Sequence, residues 1–188
     1  MVTRFTRMAL LPLLAAVIPA SAQSQVKVRE FGTLENNVYH HNWTGTEFTL
    51  PAGWTLVSQG WGDNHGQVVT LKDSVTSTFG TVWMKPQTQQ VDDIAGLLER
   101  KLETKGDQRN AYQDYRMRTG SVQHITVNGN QGIGVVADYV NLGEKRTEYM
   151  IWIYTGKTRV FFDGRVAVDQ LSAFQSRFNE LIQTAVVP

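Results

Sequence analysis

The sequence predicts an α+β fold, a largely antiparallel sheet of six to seven strands covered by helices. Three observations carry this. Segments rich in Val, Thr, Ile and aromatic residues, with apolar side chains at every second position, occupy 38–84 and resume from Tyr115 to Phe162. Turn residues punctuate them, and Asn128-Gly129 is the pair best suited to a two-residue type I′ hairpin. Two stretches then change to a helical period, one from Val91 to Lys105 and one from Asp169 to Ile182.

The first block is organised around Phe48-Thr-Leu-Pro-Ala-Gly-Trp54. Phe48 and Leu50 leave a strand on one face and Thr49 on the other, because strand side chains alternate. Pro51 has no N–H for a ladder and ends the strand, Gly53 turns the chain, and Trp54 returns a large apolar side chain to the corner. Before it, Val38 to Trp43 reads as an edge strand, and residues 23–37 as a polar leader. After it, Thr55 to Ser58 continues as strand, and Gln59-Gly-Trp-Gly-Asp-Asn-His-Gly-Gln67 reads as a glycine-rich loop. Val68–Lys72 and Phe79–Met84 form an antiparallel pair that Pro86 ends.

The first helix places Val91, Ile94, Leu97, Leu98 and Leu102 on one stripe, with Asp92 and Asp93 in its first turn and Gly106 as its stop. A second meander follows. Tyr115–Arg118, Val122–Val127 and Gly132–Val140 alternate, and Thr147–Tyr154 carries apolar residues on both faces, the mark of a central strand. Its partner is Thr158–Phe162, across the Thr155-Gly-Lys157 turn. The closing helix takes Asp169 as N-cap and buries Leu171, Phe174, Phe178, Leu181 and Ile182.

Residues 1–22 have the three zones of a secretory signal peptide: Arg4 and Arg7, an apolar run from Met8 to Ile18, and Ala20-Ser-Ala22. That run is shorter than the roughly 20 residues a membrane span requires. Removing 22 of 188 residues leaves 166, the size of one domain, here 38–188 after the leader. Without Arg4 and Arg7, the 18 basic residues become 16 against 17 acids, which gives no electrostatic reason to expect nucleic acid or an anionic membrane as partner. The expected location is periplasmic or extracellular. With no cysteine in the chain, apolar burial rather than disulfides supplies stability, and thiol chemistry is excluded.

Gly32-Thr-Leu-Glu-Asn-Asn-Val-Tyr39, the Phe-x-Leu-Pro-x-Gly-Trp block at 48–54, the mid-chain helix, Ala137-Asp-Tyr139, Glu148-Tyr149 and the Phe-rich last helix together resemble the PsbP-like family. That family groups photosystem II extrinsic proteins, the Ran-binding Mog protein and LpqN-type exported bacterial proteins. The resemblance spans about Gly32 to Thr184 and implies an α/β/α sandwich that serves as a binding or assembly module without catalysis of its own. The chain lacks the cysteine that lipid-anchored relatives carry.

Motifs for chemistry are sparse. Gly156-Lys157-Thr158 imitates the end of a phosphate loop, yet Ile151 stands where the upstream glycine is required. Adjacent His40 and His41 point to opposite faces of a strand and do not make a metal pair. No Gly-x-Ser-x-Gly elbow is present. The loop residues Trp61, Asp63 and His65 are the candidate ligand-binding residues, Trp61 as a stacking surface. No catalytic residue, metal ligand or cofactor is assigned. The expectation is an exported, monomeric, non-catalytic binding or accessory module. Its partner is a protein or a small apolar ligand. The competing readings are a carrier holding that ligand between sheet and helix, and a hydrolase with a site assembled in space near Trp61 and His65.

Overall fold

A computed structural model describes residues 31–62, 66–87, 93, 96, 100 and 112–188. The signal-peptide stretch, most of the helix expected from Val91 to Lys105, and Asp63 and His65 lie outside these residues.

Among the described residues the chain forms eleven strands and one α-helix. β1 (Gly32–Glu35), β2 (Val38–His41) and β3 (Glu47–Thr49) form a small antiparallel sheet in that order. The main sheet takes β4 (Trp54–Trp61), β5 (Gln67–Asp73), β6 (Thr78–Pro86), β7 (Gln113–Met117), β8 (Gln123–Val127), β9 (Asn130–Asn141), β10 (Glu144–Tyr154) and β11 (Thr158–Ala167). Its order is β4-β5-β6-β11-β10-β9-β7, with β8 also on β9, and every pairing is antiparallel. Helix α1 (Leu171–Gln183) follows β11 through a 3-10 turn at Val168–Gln170.

The α+β class and the antiparallel sheet agree with the sequence reading, but the main sheet has eight strands rather than six or seven. The extra strand arises because β9 is twelve residues long and pairs with β8 along one half and β7 along the other. β2 lies in the middle of the small sheet, not at an edge, and β1 falls inside the stretch assigned to the leader. The loop after Ser58 is shorter than expected, since Gln59, Gly60 and Trp61 pair with Val69, Val68 and Gln67. Asp169 is not the N-cap of α1: it sits within the 3-10 turn, and Gln170 caps without a side-chain hydrogen bond.

The Asn128-Gly129 turn is left-handed at both residues, with φ of 48° and 84°, as a type I′ hairpin requires. Both ends of the main sheet carry a bulge, in β4 between Leu56 and Ser58 and in β7 between Gln113 and Arg116. Bulges blunt exposed strand edges against further pairing.

Helix α1 buries the five apolar residues that its period singles out, Leu171, Phe174, Phe178, Leu181 and Ile182. Two glycines receive its rings. Gly80 and Gly164 are register partners on β6 and β11, and a Cβ at either would strike Phe178 or Phe174 respectively. Trp54 stacks on Phe178 at 5.7 Å and meets Phe174 edge-on at 6.5 Å. The small sheet contributes Tyr39 and Phe48 to the same core. A second apolar layer on the opposite face gathers Tyr115, Ile133, Val135, Ala137, Tyr139, Met150, Trp152 and Tyr154. Both faces of β10 are therefore buried from Thr147 onward, as expected of a central strand.

Asp73 holds the corner near Trp54. Its carboxylate is fully buried and accepts from Arg177, from the Thr76 hydroxyl at 2.7 Å, and from the Val75 and Thr76 amides. Burial pushes its pKa up, but these donors outweigh burial and leave it lowered. Arg177 also donates to the Ala52 carbonyl, tying α1 to the turn before β4.

Candidate functional site

Trp61 ends β4 and is 56% exposed. Phe31 and Trp43 meet its ring edge-on at 5.6 and 5.7 Å. The three aromatics form a small surface cluster at the junction of the two sheets. Gly62 N–H donates to the Gly66 carbonyl at 2.8 Å, so the chain leaves and rejoins the sheet at one point. The remaining histidines do not converge. His40 Nδ1 pairs with Glu47 at 2.9 Å, buried His41 bonds Thr44 Oγ1 at 2.7 Å, and His124 is exposed on β8. Among the described residues no group of three or more His, Cys, Asp or Glu is placed to hold a metal ion.

The strongest polar constellation lies elsewhere, on β7, β10 and β11. Glu148 is fully buried and sits opposite Arg165 in the β10–β11 register. Its Oε2 accepts from the Tyr115 hydroxyl at 2.8 Å and its Oε1 from Arg165 Nε at 3.1 Å. Arg165 also faces Asp163 at 3.3 Å and donates to the Tyr112 hydroxyl at 2.6 Å. Tyr112 packs on Tyr139 at 4.6 Å. Burial, then the Glu148 charge, pushes the Tyr115 phenol far above its ordinary value of 10. Burial opposes the Arg165 charge, but Asp163 and Glu148 outweigh it and raise its pKa. These groups brace one another and fix β7 against the sheet.

A half-open cleft of about 690 Å³ lies at that edge. Asp114, Arg116 and Arg118 come from the β7 segment, Asp138 and Val140 from β9, Lys145 and Arg146 from β10, and Val168 from the 3-10 turn. Arg118 grips Asp138 with two donors at 2.6 and 3.1 Å, and Thr147 adds a third at 2.9 Å. The Arg118 bonds lower the Asp138 pKa most, burial opposes them, and Thr147 assists. Arg146 pairs with Glu144 at 2.6 Å. Arg116 and Lys145 are exposed and make no ion pair among the described residues. Asp114, at the bulge, has φ of 55°, a left-handed conformation uncommon outside glycine.

No protein-family model matches the sequence. No curated protein resembles it closely enough to count as a relative. Solved structures do match. The solution structure of cyanobacterial PsbP (CyanoP) from Synechocystis sp. PCC 6803 superposes with a TM-score of 0.58 at 16% identity, over 80% of this chain and 91% of that one. The fold is PsbP-like. LpqN of Mycobacterium tuberculosis, described as involved in cell envelope biogenesis, gives a TM-score of 0.52 at 13% identity over 80% of this chain and 90% of that one. A crystal structure from Bacteroides thetaiotaomicron VPI-5482 gives 0.53 at 11% identity, over 76% of this chain and 45% of that one. Identities this low establish the PsbP-like architecture alone.

Sequence reasoning missed the cleft in this PsbP-like fold because its residues are dispersed. Arg116, Asp138 and Lys145 each occupy a solvent-side position of an alternating strand, where a charge signals only an exposed face. The signal that was available is the count of cations around β7 and the start of β10: Arg116, Arg118, Lys145 and Arg146 in a chain otherwise close to neutral. Among the described residues no helix is long and apolar enough to cross a membrane.

Proposed function

We propose that this chain is an exported accessory module, periplasmic or extracellular, that works by binding rather than by chemistry and uses the β7-edge cleft as its contact surface. The observation that carries the reading is the contrast between two kinds of charge. The buried acids Glu148 and Asp73 are each held by an arginine and a hydroxyl, which is structural bracing. Arg116 and Lys145 instead line an open cleft with no ion pair at contact distance among the described residues. The apolar amino-terminal stretch supports export, and the PsbP-like fold is compatible with a binding role.

The test is capture from the native envelope with the chain starting at Gln23, run beside an Arg116→Glu, Lys145→Glu variant. A partner kept by the parent chain and lost by the variant supports the reading. A partner held equally by both moves the contact surface elsewhere. A hydrolytic activity that disappears in His65→Ala would replace binding with catalysis.

A further inference from the structure

We infer that the β7-edge cleft holds an anionic group of phosphate-like chemistry between Arg116 and Lys145. This rests on the reading of that cleft as the contact surface. Asp138 is the register partner of both Arg116 on β7 and Thr147 on β10, and Val140 is the partner of Lys145. Steps of two along a strand keep the same face, so Arg116, Asp138, Val140 and Lys145 share one side of the sheet. Tyr115 and Tyr139, which also border the cleft at the sheet edge, join the apolar layer on the other side. β7 and β10 flank β9, and Arg116 and Lys145 are offset by two residues along it, which sets their Cα atoms about 12 Å apart, within the joint reach of two long cationic side chains.

The charges in the cleft do not cancel. Four cations and two acids line it. Arg118 is consumed by Asp138, and Arg146 by Glu144 outside the cleft. What remains is Arg116, which feels Asp138 only through space, and Lys145, with Asp114 as the one other acid of the cleft. A guanidinium fork and an ammonium on one side of the sheet suit a tetrahedral oxyanion, the arginine in two-point contact and the lysine as a point charge. Asp114 is the discriminating element: its carboxylate lowers affinity for the anion and favours ligands that also present a donor. The volume admits a phosphate attached to a larger body.

The experiment is an amide chemical-shift titration of the chain from Gln23 to Pro188 with sodium phosphate, against sodium chloride at matched ionic strength. Saturating shifts should cluster at residues 114–118, 138–140 and 145–146. Arg116→Ala with Lys145→Ala should weaken binding at least about ten-fold, and Asp114→Asn, which tolerates the same backbone conformation, should tighten it about two- to five-fold. Equal shifts with chloride, or a double variant that binds like the parent, would overturn the assignment. So would association with phosphatidylglycerol vesicles without saturable phosphate shifts, since that marks diffuse surface charge. If phosphate fails while the charge-reversed variant still loses a captured partner, the anion falls and the contact surface stands. If both fail, both readings fall.

Discussion

Tyr115 and Glu148 are 33 positions apart in sequence, yet the phenol of one donates to the carboxylate of the other at 2.8 Å inside the sheet's second apolar layer. This bond joins the bulged edge strand to the central one. Tyr115→Phe should cost about 1–3 kcal/mol, the range for leaving a buried acceptor short of a donor. Urea unfolding gives the magnitude, and amide exchange at residues 113–117 should accelerate beyond the global change. Glu148→Ala should cost at least as much, because Tyr115 then loses its acceptor while the half-exposed Arg165 is left with Asp163.

Gly164→Ala should lower the melting temperature substantially, since a methyl group at that position meets the Phe174 ring. Overpacking of this kind costs about 1–3 kcal/mol. Adding Phe174→Leu should recover part of the loss in a double-mutant cycle, whereas simple additivity would show that the backbone at Gly164 and not the ring is responsible.

The five tryptophans should respond unequally to truncation. Trp54 is buried against two phenylalanines, and Trp54→Ala should cost about 3–5 kcal/mol. Trp61 is more than half exposed, and Trp61→Ala should change stability by about 1 kcal/mol or less. Calorimetry separates the two. Loss of a captured partner in Trp61→Ala without loss of stability would mark the Phe31, Trp43 and Trp61 cluster as a second contact point.

His41 gives stability a dependence on pH. Burial, opposed by Gln67, lowers its pKa from 6.5 to about 4. The unfolded chain therefore binds the proton more readily, and the stabilisation is complete above pH 6.5 and lost as pH falls from 6.5 towards 4. The loss should be about 2–3 kcal/mol. Denaturant midpoints measured across that window should fall in the parent chain and stay level in His41→Gln. Asp73 and Asp138, with pKa values held below 3.8, begin to lose their stabilisation only below about pH 5, so the fall between pH 6.5 and about 5 is free of them.

The parts of the fold that were legible in the sequence are those with local causes. Asn128-Gly129 can adopt left-handed backbone at both positions, and the buried stripe of α1 follows from 3.6-residue spacing. Strand β1 was not legible, because Gly32–Glu35 has few apolar residues and reaches β2 through a left-handed turn at Asn36 and Asn37. The β4 extension through Gly60 was lost for the same reason, since glycine weakens a strand signal that pairing with Val68 restores. Of the residues singled out as a site, Trp61 is exposed at the end of β4 rather than in a loop, and Asp63 and His65 lie outside the described residues. The cleft depends on which strands become neighbours, information that no single strand carries.

The last bridge of the molecule joins Glu47 to Val186, with Glu47 N–H donating to the Val186 carbonyl at 3.0 Å and Val186 N–H to the Glu47 carbonyl at 2.8 Å. Asn128 and Asn130 then clasp the carbonyls of Ala185 and Val187 at 2.7 and 2.9 Å. Contacts so remote in sequence carry a large loop-closure cost, which slows folding. The amino-terminal sheet and the β8–β9 hairpin are thereby coupled to residues 185–187, so a change at any one of the three is felt by the other two.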